Sequence, residues 1–183
     1  MTITTVDAEA PALSIERFTF RIPEETDGYN VWKLIKSCPP LDENSLYCNL
    51  LQCSHFAKTC ILAQTDDRAL GWVSGYVLPE DPETLFVWQV AVHADARGTG
   101  LGKELLKRLV ARDNLNHIRH MNTTITATNE ASWGMFRSFA KAMDAPIRSA
   151  VWLTKEDHFQ GLHDAEQLVR IGPFGAGFED CDD

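Results

Sequence analysis

The sequence predicts an α/β domain built on a mixed central sheet of about seven strands, flanked by helices. Three observations predict it. Residues 85–92, LFVWQVAV, are an apolar run broken only by Gln89 and have the length of a buried strand. The turn Arg97-Gly98-Thr99-Gly100-Leu101-Gly102 follows, and then a helical pattern with Leu101, Leu105, Leu109 and Val110 on one face and Glu104 one turn before Arg108. Strand-like segments dominate the first half and helical crossovers surround the fourth and fifth strands, which makes the sheet mixed and parallel at least locally. With 183 residues the chain is long enough for one domain with its own core. Residues 1–13 read as a flexible arm, 14–174 as the domain and 175–183 as an acidic tail.

In order, residues 14–22 alternate, with Phe18, Phe20 and Ile22 opposite Arg17, Thr19 and Arg21, and Pro23 ends the strand. Pro23-Glu24-Glu25 opens a helix carrying Val31, Trp32, Leu34 and Ile35, which Cys38-Pro39-Pro40 stops. Asn44 or Ser45 caps a second helix whose apolar stripe is Leu46, Leu50, Leu51 and Phe56. Strands at 59–64 and 69–78 flank a turn at Asp66-Asp67, and a second turn at 80–83 leads into the strand at 85–92. The threonine-rich segment 123–128 is the fifth strand. Asn129 then caps a helix bearing Trp133, Phe136 and Ala140, and strands at 147–153 and 167–171 close the domain around an acidic, histidine-containing loop.

The formal net charge of -9 argues against a nucleic-acid or anionic-membrane surface and suits a small cationic substrate. Cysteines at 38, 48, 53, 60 and 181 form no secreted framework, and neither a signal segment nor a membrane span is evident. A cytoplasmic protein is expected. Cys48, Cys53 and His55 lack zinc spacing, so no metal is expected.

The glycine turn before a helix offers unpaired backbone N–H groups and a positive helix end to an anion. Its spacing matches neither the dinucleotide nor the nucleoside-triphosphatase fingerprint. A cofactor pyrophosphate and a plain tight turn both remain open on the residues alone, although no packing need for three glycines is evident.

The segment resembles the cofactor-binding motif of the GNAT N-acetyltransferases, Q/R-x-x-G-x-G/A, with Arg97, Gly100 and Gly102 at its defining positions. Asn129 and the helix bearing Trp133 and Phe136 are similar to that family's second signature. LDENSLY (41–47), LFVWQVAV (85–92), TNEASWGMFRSFA (128–140) and RIGPF (170–174) together resemble the diaminobutyrate acetyltransferases among them, over about residues 15–174.

The resemblance implies a GNAT fold whose fourth and fifth strands splay apart to admit acetyl-CoA. It places the pyrophosphate on the N–H groups of Arg97, Gly98, Thr99, Gly100, Leu101 and Gly102, and the pantetheine arm along Val90, Ala91 and Val92. Asn129 lies beside the thiol end, a role compatible with capping. The acceptor it implies is a small cationic amino acid, diaminobutyrate, approached by Asp42 and Tyr47 and flanked by Trp88. Asp42 is an ammonium-binding anion or a solvated loop acid, Tyr47 an acid to the leaving thiolate or a wall, and Trp88 a pocket wall or core. Many relatives carry a glutamate base on the fourth strand. Here Gln89 is its polar residue, so Glu130 or His93 at the end of a water chain is the alternative. No cysteine has a histidine placed to activate it, so transfer is direct within a ternary complex. A homodimer is implied as well.

Overall fold

The computed structural model describes residues 14–174, Asp67 excepted. The expected arm, the acidic tail and Asp67 of the first hairpin turn lie outside the described residues. Seven strands form one sheet: β1 (Thr19–Arg21), β2 (Ile61–Thr65), β3 (Arg68–Leu78), β4 (Asp81–Val92), β5 (His120–Thr126), β6 (Ile147–Leu153) and β7 (Glu166–Ile171). Their spatial order is β1-β2-β3-β4-β5-β7-β6. Four α-helices accompany them: α1 (Gly28–Lys36), α2 (Leu46–Ser54), α3 (Leu101–Val110) and α4 (Glu130–Ala142). The expected mixed sheet is present. Only β4 and β5 pair in parallel, and they do so only from Thr84 to Phe86 before separating.

Alternation along the strands divides the core into two layers. Ile61, Ala63, Leu70, Val73, Leu85 and Val87 meet Leu101, Leu105 and Leu109 of α3 and Phe136 and Phe139 of α4. Leu62, Trp72 and Ala91 face Val31, Leu34 and Ile35 of α1 on the other side. The α3 face is therefore the one the sequence predicts. Its Glu104–Arg108 pair also forms, at 2.7 Å.

Three expectations need correction. The first strand is Thr19–Arg21 alone; Ile15–Arg17 is a turn of 3₁₀ helix, and Ile22 is 44% exposed beside Pro23. The fifth strand runs three residues earlier than expected, His120–Thr126, because the ladder with β7 begins at Met121. Helix α2 is turned over. Its buried residues are Asn49, Gln52 and Cys53, while Leu46, Leu50 and Phe56 are exposed. The helix passes close to the start of α1, where a Cβ on Gly28 would lie 2.6 Å from Leu50 Cδ2. Asn49 and Gln52 satisfy part of each other's polarity through a 3.0 Å bond, which makes burying that face tolerable.

Candidate active site

The separation of β4 from β5 opens two adjoining cavities. They share Pro40, Leu41, Val90, Asn129, Ala131 and Ser132 in their walls.

One cavity, of about 580 Å³, runs over the glycine turn and is lined by Val90, Val92, Arg97, Gly98, Gly100, Leu101, Gly102 and Lys103. Gly98 and Gly100 have φ of +79° and +82°, a conformation that glycine adopts without strain, and a Cβ at either would meet nothing within 4 Å. The space beside them is open for a ligand. Among the described residues no side chain caps α3, so the first-turn N–H groups of Leu101, Gly102 and Lys103 remain available. Gly102 has a packing reason that the sequence does not reveal: a Cβ there would sit 2.5 Å from Met135 Sδ of α4. Thr99 is held by its own hydroxyl, which donates to the Ala96 carbonyl at 2.7 Å. Ala91 is fully buried in the α1 layer and lines neither cavity, so only Val90 and Val92 present side chains to this one. The Val92 carbonyl is engaged by Arg97 Nε at 3.3 Å and Cys38 Sγ at 3.4 Å.

The second cavity, of about 810 Å³, is lined by the loop before α2 (Leu41, Asp42, Asn44), by Val87–Val90 of β4, by Thr123–Thr126 of β5 and by the start of α4. The β6–β7 loop closes it with Lys155, His163, Asp164 and then Glu166. Asp42 is exposed in this wall. Its loop is clamped by Gln89, which is 9% exposed; the Gln89 amide donates to the Asp42 carbonyl at 2.8 Å and accepts from Asn44 at 3.0 Å. The polar residue of β4 is thus a positioning residue for the loop that carries Asp42.

The remaining expected residues divide clearly. Trp88 is 51% exposed at the rim of the second cavity, so it is not core. Glu130 lines the same cavity. Asn129 lies where the two cavities meet, and its side chain caps α4 by accepting from Ser132 N–H at 3.1 Å. Tyr47 is 70% exposed on α2 and lines neither cavity, because α2 is turned over. His93 also lies outside both: it engages Arg68 at 3.1 Å and accepts from the Asp95 N–H at 3.2 Å. Lys155, His163 and Glu166 were missed. Lys155 and His163 belong to the β6–β7 loop and Glu166 to the start of β7, a segment that reads as surface connection until β7 is seen to insert between β5 and β6.

Burial, the largest cause in each case, pushes the Cys53 and Cys60 thiols up to about 12, which removes them as nucleophiles at neutral pH. No group of three metal-ligating side chains occurs among the described residues, and none of their helices is long and apolar enough to cross a membrane.

This arrangement of a splayed β4–β5 pair over a glycine turn has known counterparts. Residues 26–140 match the Acetyltransferase (GNAT) family. The chain belongs to that family. An L-2,4-diaminobutyric acid acetyltransferase of Methylotuvimicrobium alcaliphilum is 49% identical over 158 residues, 86% of this chain and 92% of that protein. One from Vibrio cholerae is 45% identical over 154 residues, 84% of this chain and 89% of the relative. The acetyltransferase also superposes on the diaminobutyrate acetyltransferase of Paenibacillus lautus, solved in complex with L-2,4-diaminobutyric acid and coenzyme A. That match has a TM-score of 0.82 and 36% identity, and covers 90% of this chain and 98% of the other.

Proposed function

We propose that the protein transfers the acetyl group of acetyl-CoA to the N4 amine of L-2,4-diaminobutyrate, the acetylation step of ectoine synthesis, by direct attack in a ternary complex. The observation that carries this reading is the meeting of two unlike cavities at Val90 and Asn129, one walled by open backbone N–H groups and the other by carboxylates. The relatives named above are acetyltransferases of L-2,4-diaminobutyrate, which supports this acceptor.

The pyrophosphate of acetyl-CoA lies on the N–H groups of the turn from Arg97 to Gly102, where the α3 dipole favours it. The pantetheine arm follows β4 past Val92 and Val90, where the strand has no β5 partner. The thioester then arrives beside Asn129, and an N–H of the unpaired β4 edge is available to the developing oxyanion. Asp42 holds an ammonium of the acceptor and Trp88 flanks its carbon chain. Glu130 sits at the rim, where it attracts the cationic substrate. With their thiols raised to about 12, neither Cys53 nor Cys60 forms an acetyl-cysteine.

The reading includes a homodimer and a cytoplasmic location. Tyr76 and Phe86 stack at 5.3 Å, Phe86 meets Trp152 at 6.5 Å, and Trp88 and Phe56 share a recess with Tyr76. Exposed Leu46, Tyr47 and Leu50 on α2 add further apolar surface of the kind a second copy covers. The free thiols of Cys38, Cys48, Cys53 and Cys60 suit a reducing compartment.

Steady-state thiol release with acetyl-CoA and a panel of amines tests the activity. L-2,4-diaminobutyrate is expected to have the highest kcat/KM, and a higher value for a polyamine or lysine would overturn the substrate. For the dimer, Trp152→Glu is expected to give a monomer by light scattering; a wild-type monomer at micromolar concentration would refute it.

A further inference from the structure

We infer that Glu166, the first residue of β7, takes the proton from the acceptor ammonium before the nitrogen attacks the thioester. The inference rests on the acetyl-transfer reading above and supplies the proton acceptor that it lacks. Between Leu85 and Val92, β4 has no carboxylate, and the Gln89 amide is committed to Asn44 and the Asp42 carbonyl.

Glu166 lines the acceptor cavity and sits opposite Thr126 in the β5–β7 ladder, on the face shared with Thr124. Its side chain is 16% exposed, and among the described residues Oε2 is buried with no hydrogen-bond partner. A carboxylate oxygen left in that state beside a cavity suits a donor brought by a ligand, and an ammonium brings three. The ionisable groups around it come from several elements. His163 Nε2 is 3.9 Å from Oε1, Asp42 acts on it from the loop before α2, Glu130 lines the same cavity from α4, and Lys155 is paired with Asp164 at 2.9 Å farther along its own loop.

Burial first, and then Asp42, raise the Glu166 carboxyl above the usual glutamate range, against the opposing pull of His163 and Thr124. That shift narrows the gap to an amine and makes proton transfer less uphill. Two carboxyl groups in unlike settings thereby divide the work: exposed Asp42 binds the acceptor and mostly buried Glu166 accepts a proton.

The step balances as follows. Glu166 takes one proton from the ammonium, and the freed lone pair forms the C–N bond at the thioester carbonyl carbon as the carbonyl electrons move to oxygen. Collapse re-forms the carbonyl and breaks the C–S bond. The thiolate takes the second proton from nitrogen and leaves as coenzyme A, and Glu166 later returns its proton to solvent.

The test compares wild type, Glu166→Gln and Glu166→Asp on whichever amine the wild type acetylates, with acetyl-CoA affinity measured by calorimetry. E166Q is expected to lower kcat by about 100-fold or more at neutral pH. Acetyl-CoA affinity should be unchanged, and the loss should shrink as pH rises and free amine becomes available. E166D, which keeps a shortened carboxylate, is expected to fall between the two. Wild type should show an acidic limb in kcat/KM set by the Glu166 carboxyl, and in E166Q only the higher limb of the free amine should remain. An E166Q enzyme with wild-type kcat, or one impaired only in acceptor KM, overturns the inference while leaving the activity intact. A wild type inactive on diaminobutyrate but active on another amine overturns the substrate and leaves Glu166 to be judged on that amine. A wild type silent toward every amine removes the reading and the inference together.

Discussion

The two cavities are built on different principles. The cofactor side uses backbone: a contiguous turn, two positive-φ glycines and the open end of one helix, all within residues 97–103. The acceptor side uses side chains: Asp42 before α2, Trp88 on β4, Glu130 on α4 and Glu166 on β7, set by four separate elements. Backbone recognition is local and permissive of side-chain change except where glycine is required. Side-chain recognition depends on tertiary placement and is sensitive at each position.

The largest test of this contrast is Gly100→Val. At φ +82° a β-branched residue is strained, at a cost of order 1–3 kcal/mol, although nothing occupies the space its Cβ would enter. The turn should relax and misalign its N–H groups. We expect the KM for acetyl-CoA to rise about 10- to 100-fold, with acceptor KM little changed and the domain still folded. Thr99→Val, which deletes a hydroxyl but leaves the N–H groups in place, should be far milder. If both variants lose cofactor binding equally, the turn is not a backbone cradle.

Asp42→Asn tests the other side. Removing the charge while keeping the shape should raise acceptor KM about tenfold, the loss of a charged hydrogen bond, and leave acetyl-CoA affinity unchanged. A parallel loss of both would show the cavities to be energetically coupled through the shared Pro40–Leu41 wall. No change in either would make Asp42 a solvated loop acid.

The same contrast explains what was legible in the sequence. The strand–turn–helix unit is contiguous, so the periodicity of Leu101, Leu105 and Leu109 and the spacing of Gly98 and Gly100 showed it directly. Ser45 and Asn129 were legible as caps for the same reason, since capping reaches only three residues ahead. Helix α2 was not. Its leucines predict a buried stripe, but Asn49, Gln52 and Cys53 are the buried residues, with Asn49 and Gln52 bonded to each other, and no local rule contains the neighbours they meet. Tyr47 followed α2 out of the cleft. Glu166 was invisible because its significance depends on β7 lying beside β5, where Glu166 faces Thr126 from 40 residues along the chain.

The smallest expected effect on the chemistry comes from behind the acceptor wall. Asp27 accepts two bonds from Arg21, at 2.6 and 2.7 Å, and one from the Glu24 N–H at 2.7 Å, while Arg21 also reaches Gln64 at 2.9 Å. The group ties the start of α1 to β1 and β2 and touches neither cavity. Burial raises the Asp27 carboxyl, but Arg21 and the Glu24 N–H outweigh it, so the folded value lies below the usual range. A lowered carboxyl contributes stability that is present above the unfolded aspartate value of about 3.9 and disappears as pH falls through the folded one. Asp27→Asn should therefore cost about 2 kcal/mol at pH 7, with kcat and both KM values unchanged. The difference from wild type should narrow below pH 4, as the wild-type carboxylate takes up its proton. A penalty constant from pH 7 to pH 3 would mean that shape rather than charge holds this corner. A change in acceptor KM would mean that the cavity is tuned from behind as well as from its walls.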